Sequence, residues 1–172
     1  PATSTPIILP TLDPSALQGK VTFQSDRSRN LDIYVYDLQS HSLLNLTSNE
    51  SVDVFPSWSK DGKQIVFVSD RDGNPEIYLM HADGSGLKRL TDNPHEDVLP
   101  AFSPDGKSIA FVSNRDGDDE IYLMDVQGRN VTQLTHNDFN DDFPAFSPDG
   151  KQIVYQTNRD VNHLSESILQ RL

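Results

Sequence analysis

The stretch that decides the fold is PAFSPDGK, residues 100–107. It recurs unchanged at residues 144–151 and as PSWSKDGK at residues 56–63, so the copies are spaced 44 residues apart. Gly19 and Lys20 repeat the Gly-Lys pair once more and mark an earlier, degenerate copy. Self-similarity at a fixed period of this length is typical of repeat architectures, in which each repeat is one supersecondary unit.

Each unit contains four short strand signals separated by turn residues. In the third unit they fall at residues 101–103, 108–113, 120–125 and 130–135. The middle two are rich in β-branched and aromatic residues and are almost continuously apolar, which predicts strands that are buried on both faces. Asp-Gly pairs stand between the strands, at residues 105–106 and 116–117. They predict tight hairpins closed by primed turns, because such turns need φ > 0.

Four strands in a unit of this length is the period of a β-propeller blade. The sequence therefore predicts an all-β fold, made of four-stranded antiparallel blades with roughly 3.5 to 4 blades per chain. The predicted blades are residues 19–55, 56–99, 100–143 and 144–172. One aromatic position recurs in the inner strands and is predicted to pack between blades; its members are Trp58, Phe102 and Phe146. A helical solenoid would need a 3.6-residue apolar period, which the chain lacks.

The two ends of the chain depart from the repeat. Residues 1–18 are rich in Pro and Thr and predict a linker or extended arm. The first unit has no good inner strand, and the last loses the pattern after Asp160, which gives 14 predicted strands. An arc of blades leaves apolar faces exposed. Two hypotheses follow: two chains close a ring as a homodimer, or the chain is a fragment of a longer propeller.

The charge of the chain restricts its partners. Acidic residues outnumber basic ones by 26 to 14, for a formal charge of -12. That balance argues against nucleic acid and against an anionic membrane surface as partners. Basic proteins, cations and neutral ligands remain. There is no cysteine, which excludes disulfides and thiolate chemistry, and no apolar run approaches the ~18 residues of a membrane span.

Several motifs repeat in register and identify a family. They are SPDGK at 103–107 and 147–151, NRDG at 114–117, EIYLMD at 120–125, QLT at 133–135, and in the second unit DRDG at 70–73, EIYLM at 76–80 and RLT at 89–91. Over residues 19–160 the chain resembles the TolB-type, or PD40, β-propeller repeats. That resemblance implies a binding module for protein partners in a periplasmic or extracellular setting, although cytoplasmic relatives keep a cytoplasmic location open. Similar repeats also lie beside peptidase or sensor domains, which leaves a regulatory or substrate-gating propeller as the alternative.

Propeller topology places two sets of loops on one face, which we call the loop face. It comprises the fourth-to-first loops and the second-to-third loops, at residues 47–55, 91–99, 135–143, 25–31, 69–76, 113–120 and 157–164. These segments hold 17 of the 26 acidic residues and none of the lysines. The sequence therefore predicts an acidic face that attracts a basic protein.

Residues of the loop face divide into repeated and unit-specific sets. The repeated set predicts Arg–Asp pairs that tie neighbouring blades together: Arg27, Arg71, Arg115, Arg159, with Asp53, Asp97 and Asp141. Asp97 and Asp141 are also candidates for partner contact. A ligand site usually breaks repeat symmetry, so the unit-specific residues are further contact candidates: His95, His136, Phe139 and Asn140.

The sequence predicts no enzyme, no cofactor and no metal site. There is no Gly-x-Ser-x-Gly elbow and no His-Glu-x-x-His spacing. Residues 116–120, DGDDE, superficially resemble a calcium loop but lack its alternating Asp order, which favours a solvated hairpin tip. A cation- or small-ligand-binding propeller is the third functional alternative.

Overall fold

A computed structural model describes residues 18–159 and the backbone of residues 166–171. Its regular elements are 14 strands: β1 (Lys20–Ser25), β2 (Asp32–Asp37), β3 (Leu43–Asn45), β4 (Asp53–Trp58), β5 (Gln64–Ser69), β6 (Glu76–His81), β7 (Lys88–Arg89), β8 (Asp97–Phe102), β9 (Ser108–Ser113), β10 (Glu120–Asp125), β11 (Thr132–Gln133), β12 (Asp141–Phe146), β13 (Gln152–Thr157) and β14 (Glu166–Arg171). The predicted arm and residues 160–165 lie outside this description. Among the described residues, no helix is long and apolar enough to cross a membrane.

The strands form four antiparallel sheets in chain order. The first is β1-β2-β3, the second β4-β5-β6-β7, the third β8-β9-β10-β11 and the fourth β12-β13-β14. Each neighbouring pair is antiparallel, as in the register Phe67↔Tyr78 between β5 and β6. The predicted all-β propeller fold is confirmed, and each four-stranded sheet is one blade. By the 44-residue period, β1 is equivalent to β5, the second strand of its blade.

The central strands are buried because each blade packs between its neighbours. In β5 and β9 the last five of six residues are buried. Val66 and Val68 of the second blade pack in one cluster with Ile109 and Phe111 of the third. Corresponding clusters join the first blade to the second and the third to the fourth. Continuous apolar runs in the sequence therefore correspond to strands covered on both faces.

The inner strands begin earlier than the sequence predicted. β4, β8 and β12 start at Asp53, Asp97 and Asp141, three residues before the proline of each repeat. Each of these strands shifts register at a bulge, for example between Val98 and Ala101. The bulge explains the difference, since alternation of apolar residues is interrupted there and the first half of the strand has no clear pattern.

The recurrent aromatic position lies at the edge of the inter-blade clusters. Trp58, Phe102 and Phe146 each pack against one of these clusters but stay half-buried. The predicted position between blades is therefore confirmed. The fully buried aromatic residues are instead Phe67 and Phe111, in the second strand of their blades.

The first hairpin of the second, third and fourth blades is wider than the predicted primed turn. In the third blade, Gly106 donates its N–H to the Ser103 carbonyl at 2.9 Å. The Asp105 carboxylate accepts from the Ser103 hydroxyl at 2.7 Å and from the Lys107 N–H at 3.1 Å. Only Gly106 has positive φ, at 70°, whereas a type I′ turn needs it at both central residues. Asp105 therefore contributes through its side chain, which caps the turn, and not through a left-handed backbone conformation.

Candidate protein-binding face

Hydrogen bonds between the two sets of loops confirm that they share one face. The Asn74 amide, after β5, donates to the carbonyl of Asn93 at 3.1 Å and to that of His95, both after β7. Asn30 makes the same bonds in the first blade, to the carbonyls of Asn49 and Ser51. The first and second blades therefore each fix the loop that leads into the next blade.

The repeated Asp residues are buried beneath the loop face. Asp53 and Asp97 are 0% exposed and Asp141 is 1% exposed. Arg71 donates to Asp53 at 2.9 Å, and Arg115 donates to both oxygens of Asp97 at 2.9 Å. The predicted Arg–Asp pairing is correct for these two pairs. Asp97 and Asp141 were wrong as partner contacts, because a buried carboxylate cannot reach a partner.

These ion pairs lie within a blade. The prediction that they would tie neighbouring blades together was wrong. Asp53 is on β4 and Arg71 directly follows β5 of the same sheet. The backbone makes the inter-blade link instead, since the Asp97 N–H donates to the Pro75 carbonyl at 3.0 Å and the Asp141 N–H to the Asp119 carbonyl at 2.6 Å. The repeated Asp thus makes an ion pair within its own blade through its side chain and a hydrogen bond to the preceding blade through its backbone N–H.

The repeated arginines also cover aromatic rings. The guanidinium of Arg115 lies 4.7 Å from the ring centre of Tyr122, and that of Arg71 lies 4.9 Å from that of Tyr78. Arg27 lies 4.8 Å from the ring centre of Tyr34. Cation–π contact of this kind fixes the guanidinium over the blade. Arg27, Arg71 and Arg115 therefore share one structural position, and Arg159 follows β13 at the equivalent position of the repeat.

The unit-specific candidates all lie exposed on the fourth-to-first loops. His95, His136 and Asn140 are exposed, and Phe139 keeps 37% of its surface in solvent. The Asn140 N–H donates to Asn158 at 2.9 Å, which holds its backbone in place. These four residues are accessible to a partner, and their contact role stays a prediction.

Exposed carboxylates on the loop face are fewer than the sequence suggested, because five of the predicted acids are buried. The buried ones are Asp53, Glu76, Asp97, Glu120 and Asp141. The exposed ones are Asp26, Glu50, Asp70, Asp72, Asp92, Glu96, Asp116 and Asp138. Between the third and fourth blades the half-buried Asp142 has its pKa raised by burial and by the carboxylates of Asp119 and Asp141. Eight carboxylates of these loops are therefore exposed among the described residues.

A shallow apolar depression runs across the inner strands and was not predicted. Phe55, Leu99 and Phe143 line it, each followed by a proline of the repeat, and its volume is about 260 Å³. Phe55 is 40% exposed and Phe143 is 55% exposed. The signal in the sequence was an apolar residue directly before each repeat's Pro, at the end of a loop that the sequence analysis treated only as acidic.

Backbone strain holds these apolar side chains at the surface. Phe55, Leu99 and Phe143 have φ values of 54°, 53° and 54°, in the left-handed region. A residue other than glycine in that conformation costs about 1–3 kcal/mol, and such residues cluster at functional sites. Each one stands at the bulge of its inner strand; Phe55 and Phe143 are exposed there, and Leu99 is half-buried against the cluster between the third and fourth blades.

Two family descriptions match the chain. The TolB beta propeller domain matches residues 7–98, and the tricorn protease N-terminal beta propeller domain matches residues 87–171. The Tol-Pal system protein TolB of Geobacter sulfurreducens is 36% identical over 47 residues, which are 27% of this chain and 11% of that protein.

Solved structures agree with this assignment. TolB from Acinetobacter baumannii is 30% identical with a TM-score of 0.76, over 88% of this chain and 38% of that one. A putative TolB from Agrobacterium tumefaciens is 27% identical with a TM-score of 0.78, over 89% of this chain and 57% of that one. Puromycin hydrolase, at 16% identity and a TM-score of 0.66, shares the fold alone. The chain spans less than two thirds of each of these proteins.

The repeat motifs, the four blades and the match over residues 7–98 agree. The chain belongs to the TolB β-propeller domain family.

Proposed function

We propose that this chain is a non-catalytic module that binds a protein partner through its loop face. The observation that carries the proposal is the apolar depression of Phe55, Leu99 and Phe143. All three residues have a strained backbone, and Phe55 and Phe143 keep 40% and 55% of their surface in solvent. Exposed apolar surface that is maintained at such a cost is typical of an interaction site.

The charge of the loop face supports a basic polypeptide as the partner. The loop face carries eight exposed carboxylates in its described part, which raise the local concentration of cationic segments and accelerate their association. An apolar centre with a polar rim is the usual anatomy of a protein interface. A segment that combines a large apolar side chain with flanking Lys or Arg fits both features.

A periplasmic location is the part of the proposal that rests on similarity. The relative from Geobacter sulfurreducens is named as a protein of the Tol-Pal system, and the Acinetobacter baumannii structure is a TolB. We therefore place this module in the same envelope compartment, where a protein partner is the expected ligand.

A second candidate is a substrate-gating propeller domain of a larger enzyme. The match of residues 87–171 to the tricorn protease propeller domain favours it. The full-length gene decides between the two: a peptidase domain in the same chain would support gating, and its absence would leave the binding module.

The binding proposal is tested with displayed peptides. We expect selection against the purified chain to enrich peptides that carry an apolar residue between Lys or Arg residues. The variant Phe143→Ser should lose most of that binding, and salt should weaken it because the rim is electrostatic. The matched control is Leu87→Ser, which removes a side chain of comparable exposure, 46%, outside the loop face. Selection of acidic peptides, or full binding by Phe143→Ser, would contradict the proposal.

A further inference from the structure

The second blade contains a pocket in which an arginine neutralises a buried carboxylate. Glu76 is 0% exposed, and the Arg89 guanidinium donates to it at 2.9 Å. The same guanidinium lies 3.0 Å from Asp92 and 3.7 Å from Asp72. A buried carboxylate needs such a partner, because its desolvation would otherwise cost several kcal/mol.

The third blade keeps two of these carboxylates and replaces the arginine, while the exposed Asp92 has His136 as its counterpart. One repeat of 44 residues later, Glu120 and Asp116 take the positions of Glu76 and Asp72, and Glu120 is again 0% exposed. The neutral Gln133 stands where Arg89 stood, and its amide donates to Asp116. The positive charge on this position of the pocket is therefore removed while its buried acid is retained.

A second replacement adds another carboxylate. Asn74 donates its amide N–H to two backbone carbonyls and to Glu76, and Asn30 donates to the two equivalent carbonyls in the first blade. In the third blade Asp118 occupies this position. An ionised carboxylate has no N–H to donate. Its Oδ2 is shut off from solvent and has no hydrogen-bond partner.

Two more buried oxygens near these carboxylates also lack partners. Tyr122 is 3% exposed, and its hydroxyl lies beside Asp116 without a hydrogen bond of normal geometry, whereas its counterpart Tyr78 donates to Asp72. Asp141, 1% exposed, has an unpartnered Oδ1. Buried oxygens without a hydrogen-bond partner need an explanation, and a bound cation would provide it.

We propose that the pocket formed by Asp116, Asp118 and Glu120 binds one Ca²⁺ ion. One oxygen from each carboxylate lies within 4.8 Å of the others, which suits a common ion with Ca–O distances of about 2.3–2.6 Å. The donors are all oxygen, which favours a hard cation over zinc or copper. The ion takes the electrostatic role that Arg89 has in the second blade, and it couples β10 to the loop that enters the fourth blade.

Ca²⁺ is preferred to Mg²⁺ because the pocket offers several protein oxygens in an irregular arrangement. Mg²⁺ demands near-octahedral geometry at about 2.0–2.1 Å and usually retains several waters. The sequence pattern alone had favoured a solvated hairpin tip, since the spacing does not match an EF-hand loop. The site is visible only when equivalent positions of two blades are compared.

Calorimetric titration of the chelator-treated chain with CaCl₂ tests the proposal. We expect one Ca²⁺ per chain, and a melting temperature that rises with Ca²⁺ concentration because the ion binds the folded state. Tb³⁺ should bind competitively and luminesce on tyrosine excitation, since Tyr122 lines the pocket. Absence of binding at millimolar Ca²⁺, or an equal response to MgCl₂, would overturn the assignment.

Variants taken from the second blade supply matched controls. Asp118→Asn restores the amide of Asn74, and Gln133→Arg restores the guanidinium of Arg89; each should abolish the Ca²⁺ response while leaving the chelated protein at least as stable as wild type. The converse double variant, Asn74→Asp with Arg89→Gln, should bind a second Ca²⁺. An unchanged Ca²⁺ response in Asp118→Asn would overturn the proposal, and its thermal melt in chelator shows that it is folded.

Discussion

Arg115 donates to both carboxylate oxygens of Asp97, at 2.9 Å each, within a single blade. Asp97 is completely buried, and one quarter of the Arg115 side chain remains exposed. The Asp97 carboxylate also accepts from Asn93, which belongs to the loop arriving from the preceding blade. One acidic side chain therefore fixes both the hairpin of its own blade and the connection between two blades.

Replacing this carboxylate should destabilise the fold strongly. Asp97→Ala leaves the Arg115 guanidinium without its buried partner, which typically costs about 3–5 kcal/mol. Lys107→Ala is the matched control, because it breaks an exposed pair with Asp105 at 3.9 Å that is worth about 1 kcal/mol or less. Urea unfolding measures both. Equal losses in the two variants would contradict a structural role for the buried pair.

The inter-blade core should depend on Phe111 more than on Phe102. Phe111→Ala empties a fully buried position between the second and third blades and should cost about 3–5 kcal/mol. Phe102→Ala removes a half-buried ring and should cost about 1–3 kcal/mol. The free energy of unfolding in urea is the readout, at unchanged m-value. The reverse order would mean that the repeated inner-strand aromatic carries the blade contact.

Gly128 should tolerate substitution less well than Gly106. Both have positive φ, 80° and 70°, so an added side chain strains each backbone by about 1–2 kcal/mol. A Cβ at Gly128 would lie 2.4 Å from the Leu90 carbonyl oxygen in the second blade, whereas a Cβ at Gly106 meets nothing within 4 Å. Gly128→Ala should therefore lose a further 1–3 kcal/mol or so from the clash. Similar melting temperatures for the two variants would show that this close contact between blades is absent.

Asp142 should destabilise the folded chain at neutral pH. Folding raises its pKa, through burial and through Asp119 and Asp141, so the folded state binds the proton more tightly. Its penalty is present above the raised pKa and disappears as the pH falls towards the usual value of 3.8. Asp142→Asn should therefore be more stable than wild type at pH 7, with an advantage that shrinks on acidification.

The pKa of Asp105 is shifted in the opposite direction, so its effect on stability should have the opposite sign. The hydroxyl of Ser103 and the N–H of Lys107 lower its pKa in the folded state, so its stabilisation is present above the usual pKa and lost as the pH falls. Asp105→Asn should be less stable than wild type at neutral pH, and the difference should shrink in acid. Melts from pH 7 to about pH 3 compare both variants with wild type. A pH-independent difference for Asp142→Asn would refute the assigned pKa direction.

The sequence predicted the blades well because repetition averages out local ambiguity. Three near-identical copies placed the second and third strands at β5, β6, β9 and β10, and continuous apolar runs predicted their burial. The inner strands were misplaced, since a bulge and a left-handed residue such as Leu99 leave no periodic signal.

The site was harder to predict because burial on a loop depends on tertiary contacts. Asp97 looked like a surface acid in a polar loop, and only the structure shows that Arg115 and Asn93 enclose it. The repeat shows that Asp118 stands where the second blade has Asn74. Only the structure shows what is lost, because the Asn74 amide donates to two backbone carbonyls and a carboxylate cannot. The residues that repeat in every unit predicted the blades, whereas the candidate ion site depends on residues that differ between units, such as Asn74 and Asp118.

The first blade presents a face that should associate with another blade. Ile65, Phe67 and Met80 of the second blade are buried against the first blade. Their first-blade equivalents, one repeat earlier, are Val21, Phe23 and Tyr36; Val21 is 47% exposed and the other two are half-buried. A propeller face of this kind is normally covered, because blades bury one another around the ring.

We expect light scattering to give twice the 19.3 kDa mass of the chain, as two arcs cover each other's free faces around a twofold axis. Val21→Lys should shift the chain towards monomer because it places a charge in that interface, whereas Leu87→Lys, at an equally exposed position on the second blade, should not. A monomer at all concentrations would contradict ring closure by two chains. The free face would then be one that other blades of a longer propeller cover, consistent with the 38% of the Acinetobacter baumannii TolB that this chain spans.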